Sequence, residues 1–129
     1  MGASTVTAQY TSTPDAAWLL IGDFDGIASV FKGVEDVVIG DGTRMFTLMG
    51  MRITERLVSR DDDAKALTYS IVDGVPGIES HEATIRVSPH EGGCEVAWSV
   101  TTVPAEAEPL FADSYAQALK GLHQSLDAT

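Results

Sequence analysis

The chain is short of several things, and each shortage removes a class of function. It has one cysteine, Cys94, so no internal disulfide is available. Lys and Arg number 8 against 19 Asp and Glu, a formal charge of −11. A phosphate backbone or an anionic lipid surface would be repelled, so no nucleic-acid or membrane partner is expected. No apolar run approaches the ~18 residues of a membrane span. The N-terminus MGASTVTAQY has neither a basic start nor an apolar stretch, so no secretory signal is expected. Val6 in place of Ser or Thr argues against a myristoylation signal. A cytoplasmic setting is the default expectation. The three histidines, His81, His90 and His123, lack ligand spacing, and no metal or cofactor is expected. The run Asp61-Asp62-Asp63 lacks the alternate spacing of a calcium loop and reads as a solvated turn. No G-x-S-x-G, Walker or G-x-G-x-x-G motif occurs.

What is present is a hydrophobic fraction of 44% in 129 residues, enough for one domain with a real core, spanning 1–129. A Thr- and Val-rich stretch at 3–11 suits a first strand. Thr13-Pro14 then starts a short helix, and a second helical piece follows around FDGIASVF. Six strand-like segments come next, at 34–39, 43–49, 51–59, 66–73, 80–88 and 94–103, separated by Gly- and Asp-rich turns. Phe111, Tyr115, Leu119, Leu122 and Leu126 then recur at helical spacing, which predicts an amphipathic helix of about 18 residues. Sequential strands favour an antiparallel meander, and the long helix is the one element large enough to cover a face of it. The expected class is α+β, a curved seven-stranded antiparallel sheet around a C-terminal helix.

Alternation assigns inner faces. On 51–59, Ile53, Glu55 and Leu57 point inward; on 66–73, Leu67, Tyr69 and Ile71; on 80–88, His81, Ala83, Ile85 and Val87; on 94–103, Cys94, Val96, Trp98 and Val100. Two ionisable residues, Glu55 and His81, therefore sit on apolar faces. Hairpins centred near Asp62-Asp63 and Val75-Pro76 place Leu57 opposite Tyr69, Glu55 opposite Ile71, and Ile71 opposite His81. The outer two of that row would lie about 10 Å apart, room for one small molecule or a water chain. A buried unpaired carboxylate costs several kcal/mol or becomes protonated. Glu55 is thus either a polar anchor in a cavity or one half of an ion pair with an arginine at the sheet's mouth. His81 is either its acid–base complement or a satisfied histidine near a loop. Tyr69, Trp98 and Tyr115 are either cavity walls or core aromatics.

The pieces T-P-D-A-A-W (13–18), D-F-D-G-I (23–27), G-D-G-T-R (40–44), T-E-R-L (54–57), Y-S-I (69–71), A-T-I-R-V-S-P (83–89) and E-V-A-W-S (95–99) occur in an order and spacing that resembles the START-like, or SRPBCC, superfamily and its bacterial polyketide cyclase/dehydratase proteins. The resemblance covers nearly the whole chain. It implies a helix-grip fold with a ligand cavity between sheet and helix. The T-E-R-L and F-A-D (111–113) pieces also resemble plant abscisic-acid receptors. That resemblance implies Glu55 and His81 as pocket residues and Tyr69, Phe111 and Tyr115 as walls. The receptors' S-G-L-P gate and H-R-L latch are absent, so a hormone receptor is not expected.

Two functions follow as expectations. In the first, the cavity binds a small, mostly apolar or polyketide-like molecule, lined by Phe46, Ile53, Ile71, Ala83, Trp98, Phe111, Tyr115 and Leu119, with Glu55, Tyr69 and His81 fixing its polar ends. In the second, a cofactor-independent cyclase, dehydratase or aldol-type enzyme uses Glu55 and His81 as the acid–base pair, with Tyr69 donating to an oxyanion. A monomer and a homodimer are both compatible with the sequence.

Overall fold

The computed structural model describes residues 2–127. Strand β1 (Gly2–Tyr10) is followed by helix α1 (Pro14–Ile21), whose first turn is capped by the Thr13 hydroxyl accepting from Ala16 N–H at 3.2 Å. A 3₁₀ stretch, Phe24–Ser29, corresponds to the second helical piece. The six later strands are β2 (Glu35–Ile39), β3 (Thr43–Leu48), β4 (Met51–Asp61), β5 (Ala66–Asp73), β6 (Ser80–His90) and β7 (Gly93–Val103). They lie within one or two residues of the segments read from the sequence. All neighbours are antiparallel, in the order β1-β7-β6-β5-β4-β3-β2.

The C-terminal helix departs from expectation. It is not one element of about 18 residues but α2 (Glu108–Gly121) and a short α3 (His123–Leu126), which meet at Leu122. The apolar spacing runs straight through the junction, so periodicity alone hides it. Gly121, a weak helix former, marks the break. Leu122 and Leu126 remain buried on either side of the register change.

Two β-bulges interrupt the β4–β5 pairing, and a third register shift lies between Glu35 and Val38 of β2. Between the Thr54–Asp73 and Glu55–Ile71 pairs one residue of β5, Val72, is extra; between Leu57–Tyr69 and Ser59–Thr68 one residue of β4, Val58, is extra. Both valines are left facing solvent. A bulge sharpens the local twist and bends its strand. Helix α2 packs mainly on β1 and β7, at the far end of the sheet from β2 and β3.

The core divides accordingly. The larger cluster, with Tyr69, Ile85, Trp98, Tyr115 and Leu119, fills the space between β5–β7, α1 and α2. A smaller cluster of Ile27, Phe46 and Ile53 lines the inner face of β3 and β4. Partly buried side chains, among them Phe31, Leu48, Met51 and Ile71, pack against the smaller cluster and border an open space.

Candidate functional site

That space is a cavity of about 1290 Å³. Ligand clefts usually hold ~300–1,000 Å³, so this one exceeds a drug-sized molecule. Its sheet wall carries Phe46, Ile53, Glu55 and Ile71, and its helix wall carries Phe111 and Tyr115. The mouth is formed by the β3–β4 turn, the 75–78 loop and the start of α2. Met49 and Leu110 stand there 85% and 74% exposed.

Glu55 is the ionisable group of the sheet wall, and it is 6% exposed. Its partner is Arg44, on the adjacent position of β3 and 5% exposed. Nε and Nη2 of Arg44 both reach Oε1, at 2.7 and 2.6 Å. Nη1 donates to the Phe24 carbonyl at 2.7 Å. The guanidinium lies between the Phe24 and Tyr69 rings, 4.1 and 4.9 Å from their centroids. Arg44 thus holds Glu55 from behind the wall. Burial pushes the Glu55 carboxyl above its usual range, and the Arg44 charge and hydrogen bonds work against that rise. Of the two readings open for Glu55, both hold in part: it has an arginine partner, and it faces a cavity rather than the solvated rim.

Arg44, the ion-pair partner of Glu55, is the residue that sequence reasoning passed over. The signal was available: Phe46 faces inward, so alternation puts position 44 on the same face. An arginine and a glutamate on neighbouring inward positions were a pair in waiting.

His81 occupies a different place. The β5–β6 ladder ends at Tyr69–Ala83, two pairs short of Ile71–His81. The Ile71 N–H instead donates to His81 Nδ1 at 3.1 Å. An acceptor at Nδ1 puts the ring proton on Nε2, which then donates to the Tyr115 hydroxyl at 2.9 Å. Burial lowers the His81 pKa to about 4. The Tyr115 hydroxyl in turn interacts with that of Tyr69, which also accepts from Trp98 Nε1 at 3.1 Å. Trp98 and Tyr115 stack at 4.2 Å with their rings nearly parallel. Burial raises both tyrosine pKa values, so both rings stay neutral.

The expected site residues therefore fall into two layers. Glu55, Phe46, Ile53, Ile71, Phe111 and Tyr115 face the cavity. Tyr69, His81, Ala83, Trp98 and Leu119 do not line it; they form the packed layer behind. The aromatics converge as expected, but on one another. This makes a prediction about Tyr69. Tyr69→Phe deletes the oxygen that accepts from Trp98 and leaves a buried N–H unpaired. Urea unfolding should show a loss of about 1–3 kcal/mol. A loss below ~0.5 kcal/mol would remove the network's structural role.

The aspartate run is a structural turn. Asp62 accepts from Trp18 Nε1 at 3.0 Å and Arg60 Nε at 2.9 Å, and Asp61 from Ala64 N–H at 3.0 Å.

A curved sheet holding a helix across an apolar cavity narrows the comparison with known proteins, and the sequence decides it. Residues 1–127 match the family described as polyketide cyclase/dehydrase and lipid transport. The chain belongs to that family. No curated protein matches the sequence. Among solved structures, XoxI from Bacillus cereus is 27% identical over 98% of this chain and 96% of its own, with a TM-score of 0.89. A protein from Thermobifida fusca is 21% identical over 100% and 99%, with a TM-score of 0.78. Ara h 8.0201 is 15% identical over 95% and 97%, with a TM-score of 0.72. The last two show the shared fold alone, the helix-grip arrangement of sheet and helix. Among the described residues of this family member, no helix is long and apolar enough to cross a membrane.

Proposed function

We propose that this protein binds a small, mostly apolar molecule in the cavity between the sheet and α2. The carrying observation is the cavity itself: about 1290 Å³, walled by Phe46, Ile53, Ile71 and Phe111, beside one buried ion pair. A void of that size among apolar walls forfeits packing on all sides, so an apolar occupant gains contacts and sheds water. Family membership supports the same reading.

The enzymatic reading has less support. An acid–base pair needs both groups within reach of the substrate. Glu55 faces the cavity, but both ring nitrogens of His81 are engaged behind the wall, and the ring is neutral at ordinary pH. Tyr69, the expected oxyanion donor, is likewise enclosed.

The test is to fill the void. Ile53 is buried on the cavity wall, and Ile53→Trp projects a larger ring into empty space. Affinity for a neutral fluorescent apolar probe such as Nile red should fall about tenfold or more, the cost of removing a good apolar contact surface. Far-UV circular dichroism should stay unchanged. Undiminished binding by a folded variant would place the probe elsewhere and defeat the proposal.

A further inference from the structure

A second, much smaller void lies behind the cavity. It measures about 20 Å³, room for a single water, and its walls include Leu67, Tyr69, Ile85 and Trp98. Val30 and Phe31 border both this void and the large cavity. Among the described residues, Phe31 is also the one partly buried side chain that packs against both core clusters. Its ring meets Trp98 and Tyr115 edge-on, with centroids 5.4 and 6.1 Å apart and planes at 68° and 63°.

We propose that Phe31 is the inner stop of the ligand site: its ring divides the cavity from the aromatic layer and fixes how far an apolar chain runs toward Trp98. This rests on the cavity-binding reading above and adds a determinant of which ligands fit.

Three observations support a stop at this residue. First, the ring has space on both sides, the large cavity and the small void. Removing it joins two spaces instead of opening a pit in close-packed core. Second, the layer beyond can receive hydrocarbon. Trp98 Nε1–H is already given to the Tyr69 hydroxyl, so a chain end arriving there strands no donor. Third, Phe31 lies outside every strand and helix, after the 3₁₀ stretch Phe24–Ser29. Its own N–H donates to the Ile27 carbonyl at 2.9 Å, a backbone bond that a smaller side chain keeps. The partition is therefore one ring on a turn, and its size can change without disturbing the sheet or α2.

Trp98 reports on the partition directly. Trp18 and Trp98 are the two tryptophans of the chain, so Trp18→Phe leaves Trp98 as the sole indole emitter. The probe is 1-bromohexane, whose bromine quenches an indole on contact, compared with hexane so that only heavy-atom contact counts. Its binding is followed by displacement of Nile red. At saturation Trp98 should keep most of its emission in Trp18→Phe and lose most of it in Trp18→Phe/Phe31→Ala. A homologous series, from 1-bromobutane upward, reads the stop itself. Each methylene should add about fourfold in affinity until the wild type stops gaining. In Phe31→Ala the gain should continue past that length.

Strong quenching with Phe31 in place would overturn the partition. So would a Trp98 that stays bright in the folded alanine variant while 1-bromohexane is bound. A stopping length shared by wild type and variant would overturn Phe31 as the determinant. Failure of Nile red and every bromoalkane to bind any of these proteins would instead overturn the cavity reading. Should far-UV circular dichroism show the alanine variant unfolded, Phe31→Leu takes its place with the same expectations. If that also fails to fold, the quenching in Trp18→Phe decides: weak quenching at saturation supports the partition and strong quenching overturns it.

Discussion

Arg44→Leu is expected to lose about 3–5 kcal/mol of stability, and Arg44→Leu/Glu55→Leu to recover most of it. The single variant removes the partner that offsets the burial of Glu55, whose side chain is 7% exposed. What remains is a carboxylate held by the fold away from water, or a proton taken up in compensation. Glu55→Leu should be comparably damaging, because it strands a buried guanidinium without its carboxylate partner. The double variant removes both charges and fills the space with hydrocarbon, which in buried pairs is often neutral or stabilising. Thermal unfolding of the four proteins gives the coupling energy directly. For a chain of this size the single variants should melt ~10 °C or more below wild type. Additive losses across the cycle would mean that the two residues act independently and that the pair is not the organising contact of the sheet wall.

Acidification should destabilise the protein through His81, by about 3 kcal/mol as the pH falls from 7 to 4. Above pH ~6.5 the imidazole is neutral in both folded and unfolded chains, and its full contribution is present. Below that the unfolded chain takes up a proton, while the folded ring, lowered to about 4 by burial, refuses it. The folded state loses ground throughout that window, and the loss is complete once the folded ring also titrates. Glu55 acts in the opposite sense, since its carboxyl is raised by burial and gains stability from protonation. The relief of a formal charge of −11 also favours folding as acid is added. Asp62 and Asp127 are lowered by their hydrogen bonds, so they contribute a loss only below the ordinary carboxylate range. The decisive quantity is therefore the difference between wild type and His81→Phe. Urea midpoints of the variant should be offset at pH 7, where Ile71 N–H has lost its acceptor, and should fall less steeply between pH 6.5 and 4. Parallel curves would remove His81 as the titrating group.

How far the sequence carries can be seen residue by residue. Strand alternation finds Glu55 and His81 on the inner faces because a two-residue period leaves a charged residue nowhere else to go. The hairpin register places Leu57 opposite Tyr69 and Glu55 opposite Ile71, as the structure has them. The register also projects Ile71 onto His81, and there pattern stops being enough. The ladder ends two pairs early, and a side-chain nitrogen accepts from Ile71 N–H. That contact turns a candidate acid into a structural strut, and no spacing rule distinguishes the two. Arg44 shows the opposite failure, since its parity was readable beside Phe46. The bulges at Val58 and Val72 interrupt the β4–β5 pairing and bend the sheet there. Valine is an ordinary strand residue, so neither bulge is signalled in the sequence.

The strand order has a consequence for how the molecule is made. β1 lies beside β7, pairing Gly2 with Thr102 and Tyr10 with Cys94. The Ser12 N–H donates to the Leu126 carbonyl at 3.0 Å, and Thr11 N–H to Asp127 at 3.1 Å. The β1 segment thus finds its partner strand only after β2 to β7 have been made. Such pairings close long loops, which slows folding relative to a chain of local contacts. During synthesis the hairpins of β3 to β6 can form while β1 waits, with the cavity's helix wall still unmade. The cavity acquires its second side only when α2 has been made and packs onto the sheet.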